Sequence, residues 1–190
     1  CLKSMGMGGR VIAVEALPLI AENLEASVVG NHLTDVVDVY NYAVGGHNGS
    51  IDGVVVEAPD AVTVNMNPGN KGASSLVMRA KEATSVKVPM TTVDSILTNR
   101  PARIFAMKID VEGYEGFVLR GAHQLLASPP CILNIELNVK WLGDAGTPAG
   151  EVLDWLRKAG YADVPVYDYF ESFSETYYQK DMGACVARFK

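Results

Sequence analysis

The 190-residue chain is 48% hydrophobic and 20% charged, a balance that suits one folded domain with a sizeable core and excludes a disordered chain. Sixteen Lys and Arg stand against 22 Asp and Glu, a net charge of −6, and no basic block offers a surface for tracking phosphates, so nucleic acid is not an expected partner. Three widely spaced cysteines, Cys1, Cys131 and Cys185, suggest neither a disulfide framework nor a metal site, and a reduced compartment is the default expectation.

The chain opens on Cys1 rather than Met, which leaves room for an upstream targeting segment. No apolar run approaches the roughly 20 residues of a membrane-spanning helix. Gly6-Met7-Gly8-Gly9 precedes a strand instead of following one, so it cannot form a G-x-G-x-x-G cradle and reads as a connection. Arg10 to Glu15 is a short β-branched run expected as a strand buried on both faces. Pro18 suits the first turn of a helix over residues 18 to 29, with Gly30 beyond it. Val36 to Tyr40 reads as a further strand, closed by the turn-prone Gly45-Gly46-His47-Asn48-Gly49, which also explains the glycosylation-like Asn48-Gly49-Ser50.

Residues 51–90 break into short β-branched pieces (Val54 to Glu57, Val62 to Met66, Ser75 to Met78, Val86 to Pro89), read as antiparallel strands or a β insertion. Pro68-Gly69-Asn70-Lys71-Gly72 lacks phosphate-loop spacing and reads as a loop. Thr92 or Asp94 can cap a short helix through Leu97. Arg103 to Asp110 is expected as a strand, Tyr114 to Leu126 as a helix ended by Pro129-Pro130, and Cys131 to Leu137 as the next strand. An amphipathic helix follows from Ala149 to Lys158, stopped near Gly160, and residues 164–168 and 184–189 complete the pattern as strands. Alternation of strand and helix predicts an α/β domain with a mainly parallel, doubly wound sheet.

The segment Ile104 to Gly113 carries most information about function. Lys108, Asp110 and Glu112 alternate, which places them on one strand face at a carboxyl end, where open α/β sheets bind ligands. Charges on a strand covered from both sides need partners, and the next strand offers the polar row Asn134, Glu136 and Asn138. If the strands are neighbours, Lys108, Asp110, Asn134 and Glu136 converge, either as a site or as a structural ion-pair network. Glu15, at its own strand tip, suits two hydrogen bonds to ribose hydroxyls or, equally, is a solvated charge. Tyr167, Tyr169, Phe170, Phe173, Tyr177 and Tyr178 crowd one stretch, readable as a stacking wall or as edge packing. His32, His47 and His123 lack metal-ligand spacing and read as surface or cap residues. No nucleophile elbow occurs.

In order along the chain, Arg10-Val-Ile-Ala-Val-Glu15, Asn23-Leu24, Tyr42-Ala43-Val44-Gly45, Gly72-Ala-Ser-Ser-Leu76, Val88-Pro-Met-Thr-Thr-Val-Asp94, Lys108-Ile-Asp-Val-Glu-Gly-Tyr-Glu115 and Val118-Leu-Arg-Gly-Ala122 resemble the FkbM family of S-adenosylmethionine-dependent methyltransferases. The resemblance runs from about residue 6 to about residue 161. It implies a Rossmann-like class I fold and O-methylation of a sugar, polyketide or other small-molecule hydroxyl. It also implies that Glu15 holds the cofactor ribose, Tyr42 and Ala43 lie beside the adenine, and Asp110 faces the reacting groups. The family's first strand and glycine-rich loop have no counterpart here, which implies an N-terminally truncated fold with a gap between the strands ending at Glu15 and at Asp110. Ala16 replaces the proline common in the family.

For methyl transfer to an alcohol, Asp110 or Glu136 is the candidate general base, with Lys108 tuning a carboxylate or orienting the acceptor. A divalent cation between two carboxylates is the less favoured arrangement, because no ligand spacing supports it. Two rivals remain. One is a non-catalytic nucleotide-binding or scaffold domain that keeps the fold. The other, a nicotinamide-dependent oxidoreductase, lacks both Tyr-x-x-x-Lys and G-x-G-x-x-G.

Overall fold

The computed structural model describes residues 8–46, 60–66, 84–98, 103–165 and 172–189. Strand β1 (Val11–Glu15) leads into helix α1 (Pro18–Gly30), whose first turn holds Pro18, and the chain returns as β2 (Val37–Asn41), parallel to β1. The Arg10 guanidinium grips Asp38 through both carboxylate oxygens (2.7 and 3.1 Å), tying the start of β1 to β2. His32 adopts a left-handed conformation (φ 54°) just past Asn31, the C-cap of α1.

The short β3 (Ala43–Val44) lies parallel to β5 (Thr84–Thr91), and β4 (Ala61–Met66) lies antiparallel to β5 on its other side. The expected antiparallel strands are therefore present in the described part of residues 51–90. Gly6 and Met7, the His47–Ser50 turn, Val54 to Glu57, the loop Pro68–Gly72, residues 72–76, Ser75 to Met78, residues 166–168, Tyr167, Tyr169 and Phe170 lie outside the described residues.

Helix α2 (Val93–Thr98) is capped by Thr92, whose Oγ1 accepts from the Ser95 amide at 3.0 Å. Asp94 does something else. Its carboxylate accepts from the amides of Gln124 and Leu125 (2.7 and 3.1 Å), satisfying the first turn of another helix about thirty residues on. That helix exists because the expected helix over Tyr114 to Leu126 is split into α3 (Glu115–Arg120) and α4 (His123–Ala127). The break falls at Gly121, where a Cβ would lie 3.1 Å from Thr92 Cβ and 3.4 Å from the backbone of Gly45. Close packing at the break and the Asp94 cap at the restart together override helical continuity.

Strand β6 (Ala106–Ile109) pairs in parallel with β7 (Ile132–Asn138), and β8 (Ser172–Tyr178) runs antiparallel to β7 on its far side. Helices α5 (Val139–Ala145) and α6 (Ala149–Lys158) connect them, and α7 (Met182–Ala187) ends the fold. One expectation is corrected here. Residues 184–189 are not a strand, because Asp181 Oδ1 accepts from the Ala184 amide and starts a helix at that point. The described part of the aromatic stretch is a strand, β8, with Tyr177 buried in the core and Tyr178 exposed, which fits the edge-packing alternative. Tyr178 pairs with Ile132, at the amino end of β7, so it lies far from that strand's carboxyl tip.

The main core lies between β7 and the helices: Leu133, Ile135 and Leu137 on one face of the strand join Leu119, Val152, Leu153 and Leu156, all 1% exposed or less. Arg120 links α3 to α6, its guanidinium 5.1 Å from the Phe117 ring centroid, 5.4 Å from that of Trp155, and 3.1 Å from Glu151 Oε1. A second core cluster joins Leu17, Ala43, Val88 and Met90 to Tyr114 and Phe117, with Ala16 and Val111 at its margin.

Among the described residues the strands form three separate sheets, β1–β2, β3–β5–β4 and β6–β7–β8, in which three of five pairings are parallel. The α/β architecture is as expected, but one continuous, mainly parallel sheet is not seen. No pairing among the described residues joins β1 to β6. Val11 and Val14 of β1 are about two-fifths exposed, so β1 is not covered on both faces as its apolar run suggested. No helix among the described residues is long and apolar enough to cross a membrane.

Cys131 and Cys185 form a disulfide, which corrects the expectation of unpaired thiols. Their 54-residue separation hid the pair, and folding closes it to a Cα distance of 5.7 Å by docking α7 on the amino end of β7. Arg188 reinforces the dock, donating to Ser128 Oγ and to the Pro129 carbonyl. A C131S/C185S double variant, or reduction, is expected to cost about 4 kcal/mol of stability through loop-closure entropy, read as a fall of roughly 10 °C in Tm.

Candidate functional site

The site grows from the register of two strands. Lys108 lies opposite Asn134 and Ile109 opposite Ile135, so the chain leaving β6 brings Asp110 alongside Glu136. Lys108 Nζ donates to Asp110 Oδ2 at 2.7 Å, and the Asp110 carboxyl lies near enough to that of Glu136 to act on its charge. Lys108, Asp110 and Glu136 therefore converge at the carboxyl end of the β6–β7 pair. The expectation that this pair would be buried is corrected: the Lys108 and Asp110 side chains are 63% and 34% exposed, because β6 leaves one face open.

Other members of the proposed convergence are placed elsewhere. The Asn134 amide donates to Thr176 Oγ1 (2.9 Å) and to the Glu175 carbonyl (3.2 Å), which turns it toward β8. Asn138 caps α5 by accepting from the Trp141 amide at 3.0 Å. Glu112 does not share a strand face with Lys108 and Asp110, because β6 ends at Ile109 and Glu112 sits in a left-handed turn (φ 54°). It still feels its neighbours. Burial first, then the charges of Asp110 and Glu136, raise its carboxyl above the usual range.

The same forces act on Glu136, raised first by burial, then by Asp110, with Lys108 pulling the other way. The Lys108 ammonium is raised in turn, chiefly by its hydrogen bond to Asp110. These opposing signs are measurable. In a titration of side-chain carboxyl carbons by NMR, D110N is expected to move the Glu136 midpoint down and K108A to move it up.

Sequence reasoning assigned no role to Glu115, the first residue of α3. It is 1% exposed, and its Oε1 accepts from the amides of Val111 (3.1 Å) and Gly113 (3.2 Å). Its other oxygen is buried without a partner among the described residues. A signal was available: Glu115 sits among Tyr114, Phe117, Val118 and Leu119, and a charge in such a run is costly. Burial pushes its carboxyl up to about 7, against the opposing pull of backbone amides. The folded state then binds this proton more tightly than the unfolded chain does. The resulting stability is complete below about pH 4.5 and is lost as pH rises through about 7. Denaturant melts across that window should show wild type losing on the order of 3 kcal/mol relative to E115Q.

At the other strand end, Glu15 Oε1 accepts from the Leu17 amide at 2.8 Å, while Oε2 takes no hydrogen bond among the described residues. The Asn41 amide, another residue the sequence did not single out, donates to the carbonyls of Glu15 and Ala16 (2.8 and 2.9 Å) and fixes that turn. Tyr42 is 38% exposed and Ala43 is buried in β3. The two strand ends meet through the second core cluster, in which Ala16 and Leu17 pack with Val111 and Tyr114.

Residues 1–162 match the family model described as Methyltransferase FkbM domain. The chain belongs to the FkbM methyltransferase family. Among solved structures, this FkbM domain is similar to the crystal structure of Methyltransferase FkbM from Methylobacillus flagellatus KT, with a TM-score of 0.48 and 15% sequence identity. That likeness covers 93% of this chain and 38% of the other, so the chain spans about two-fifths of that protein's length. No curated protein sequence matches this FkbM domain.

Proposed function

We propose that this FkbM domain is an S-adenosylmethionine-dependent O-methyltransferase acting on a hydroxyl of a sugar, polyketide or other small-molecule acceptor. The observation that carries the reading is the convergence of Lys108, Asp110 and Glu136 at the carboxyl end of two parallel strands, where such folds bind their ligands.

The residues at the end of β1 suit the ribose and adenine half of the cofactor. Glu15 has a carboxylate oxygen available for ribose hydroxyls, Asn41 holds its turn, and the exposed Tyr42 offers a ring beside Ala43. When bound, S-adenosylmethionine supplies a methyl group on a positively charged sulfur. What the protein adds is alignment and the removal of a proton. Glu136 is the proton acceptor in this reading, because burial and Asp110 raise its affinity for protons. Asp110, engaged by Lys108 through Oδ2, orients the acceptor hydroxyl.

The roles separate by measurement. E15A is expected to weaken S-adenosylmethionine binding by about 10- to 100-fold in calorimetry, the loss of two charge-assisted hydrogen bonds. E136Q and D110N should instead lower kcat by roughly 10²- to 10⁴-fold, with cofactor affinity nearly intact. No heat of binding with wild-type protein would remove the enzyme reading and leave the nucleotide-binding or scaffold domain. Equal loss of cofactor affinity in all three variants would overturn the division of roles.

A further inference from the structure

We infer that Glu115 is a positioning residue: its buried carboxyl clamps the turn at residues 111–114, directly after Asp110, and thereby holds Asp110 beside Glu136. The inference deepens the proposed reaction and rests on that reading only for its catalytic consequence. Its geometry stands alone.

The turn is one the chain does not adopt without restraint. Glu112 and Gly113 are consecutive left-handed residues (φ 54° and 96°), and a non-glycine side chain in that region is disfavoured. A Cβ at Gly113 would lie 2.5 Å from Trp141 Cβ, so α5 closes one side of the turn and the Asn138 cap fixes α5 in place. On the other side the Val111 and Gly113 amides have no strand neighbour to bond. Both converge on Glu115 Oε1. One buried oxygen thus satisfies two backbone donors that flank Glu112, in a turn that starts directly after Asp110 and is closed by the Tyr114 amide donating to the Val111 carbonyl (3.3 Å). Without it those donors seek water and the turn opens, since buried amides do not stay unpaired. Asp110 is the point where that opening reaches the site, because its carboxyl must reach both Lys108 Nζ and Glu136.

The test reads the contact without turnover. E115M keeps the volume but removes the acceptor, whereas E115Q keeps an acceptor oxygen in the same place. In E115M the Val111 and Gly113 amides are expected to exchange with deuterium roughly tenfold faster. The Glu136 carboxyl midpoint should fall toward its ordinary value, as in D110N. E115Q should retain both wild-type properties. The charged groups facing Glu136 are Lys108, Asp110 and Glu112, and β8 places Ser174, which does not titrate, opposite it. An unmoved Glu136 midpoint in E115M overturns the clamp, as does an equal shift in E115Q, which would make the charge of Glu115 the cause. If E115M does not fold, unprotected Val111 and Gly113 amides in wild type overturn it, and protected amides in both wild type and E115Q uphold it. Absence of methyl transfer in wild type would count against the proposed reaction alone.

Discussion

The parallel register of β6 and β7 is the constraint on which the site depends. A strand's two faces alternate, so once Leu133, Ile135 and Leu137 are driven into the core, Asn134 and Glu136 must point to the opposite side. A shift of one residue in β7 would bury Glu136 and expose Ile135. Apolar burial behind the strand therefore fixes, at no cost to the site itself, where a carboxylate stands in front of it. Lys108 and Asp110 then stand on the Glu136 side because β6 lies parallel to β7 in that register.

Three carboxyl groups near one ammonium are not a stabilising arrangement by themselves. Glu112 and Glu136 are both pushed toward their neutral forms, and Lys108 offsets only part of the repulsion. The scaffold tolerates this because the groups stand at the solvent-facing rim, while the stabilising contacts lie elsewhere: the core behind β7, the Arg120 stack between α3 and α6, and the disulfide at the opposite strand end. The disulfide and the carboxylate cluster thus stand at opposite ends of β7. Glu115 is the exception, a polar group drawn into the apolar layer where α3 begins.

Legibility followed the range of the interactions involved. Helix α6 was readable to the residue, because an amphipathic period and flanking Pro148 and Gly160 are local signals. Helix α1, with Pro18 in its first turn, was nearly so. The break between α3 and α4 was not, since it arises where Gly121 packs against Thr92 and where Asp94 caps the amides of Gln124 and Leu125. Strand β8 looked like an aromatic loop because it gains its hydrogen bonds only by lying against β7. The segment at α7 looked like a strand because Asp181 capping, not side-chain period, decides its form.

The amino-acid sequence by itself determined the alternation of strands and helices, the family, and the residue types at the ends of β1, β6 and β7: Glu15, Lys108, Asp110 and Glu136. These are properties of short windows, where hydrophobic period and spacing act within a few residues. Only the tertiary structure decided which of them meet. It turned Asn134 toward Thr176, moved Glu112 off the strand, paired Cys131 with Cys185, and brought Glu115 to the turn that follows Asp110. Those outcomes depend on burial and hydrogen-bond satisfaction across elements, and neither exists until the elements pack.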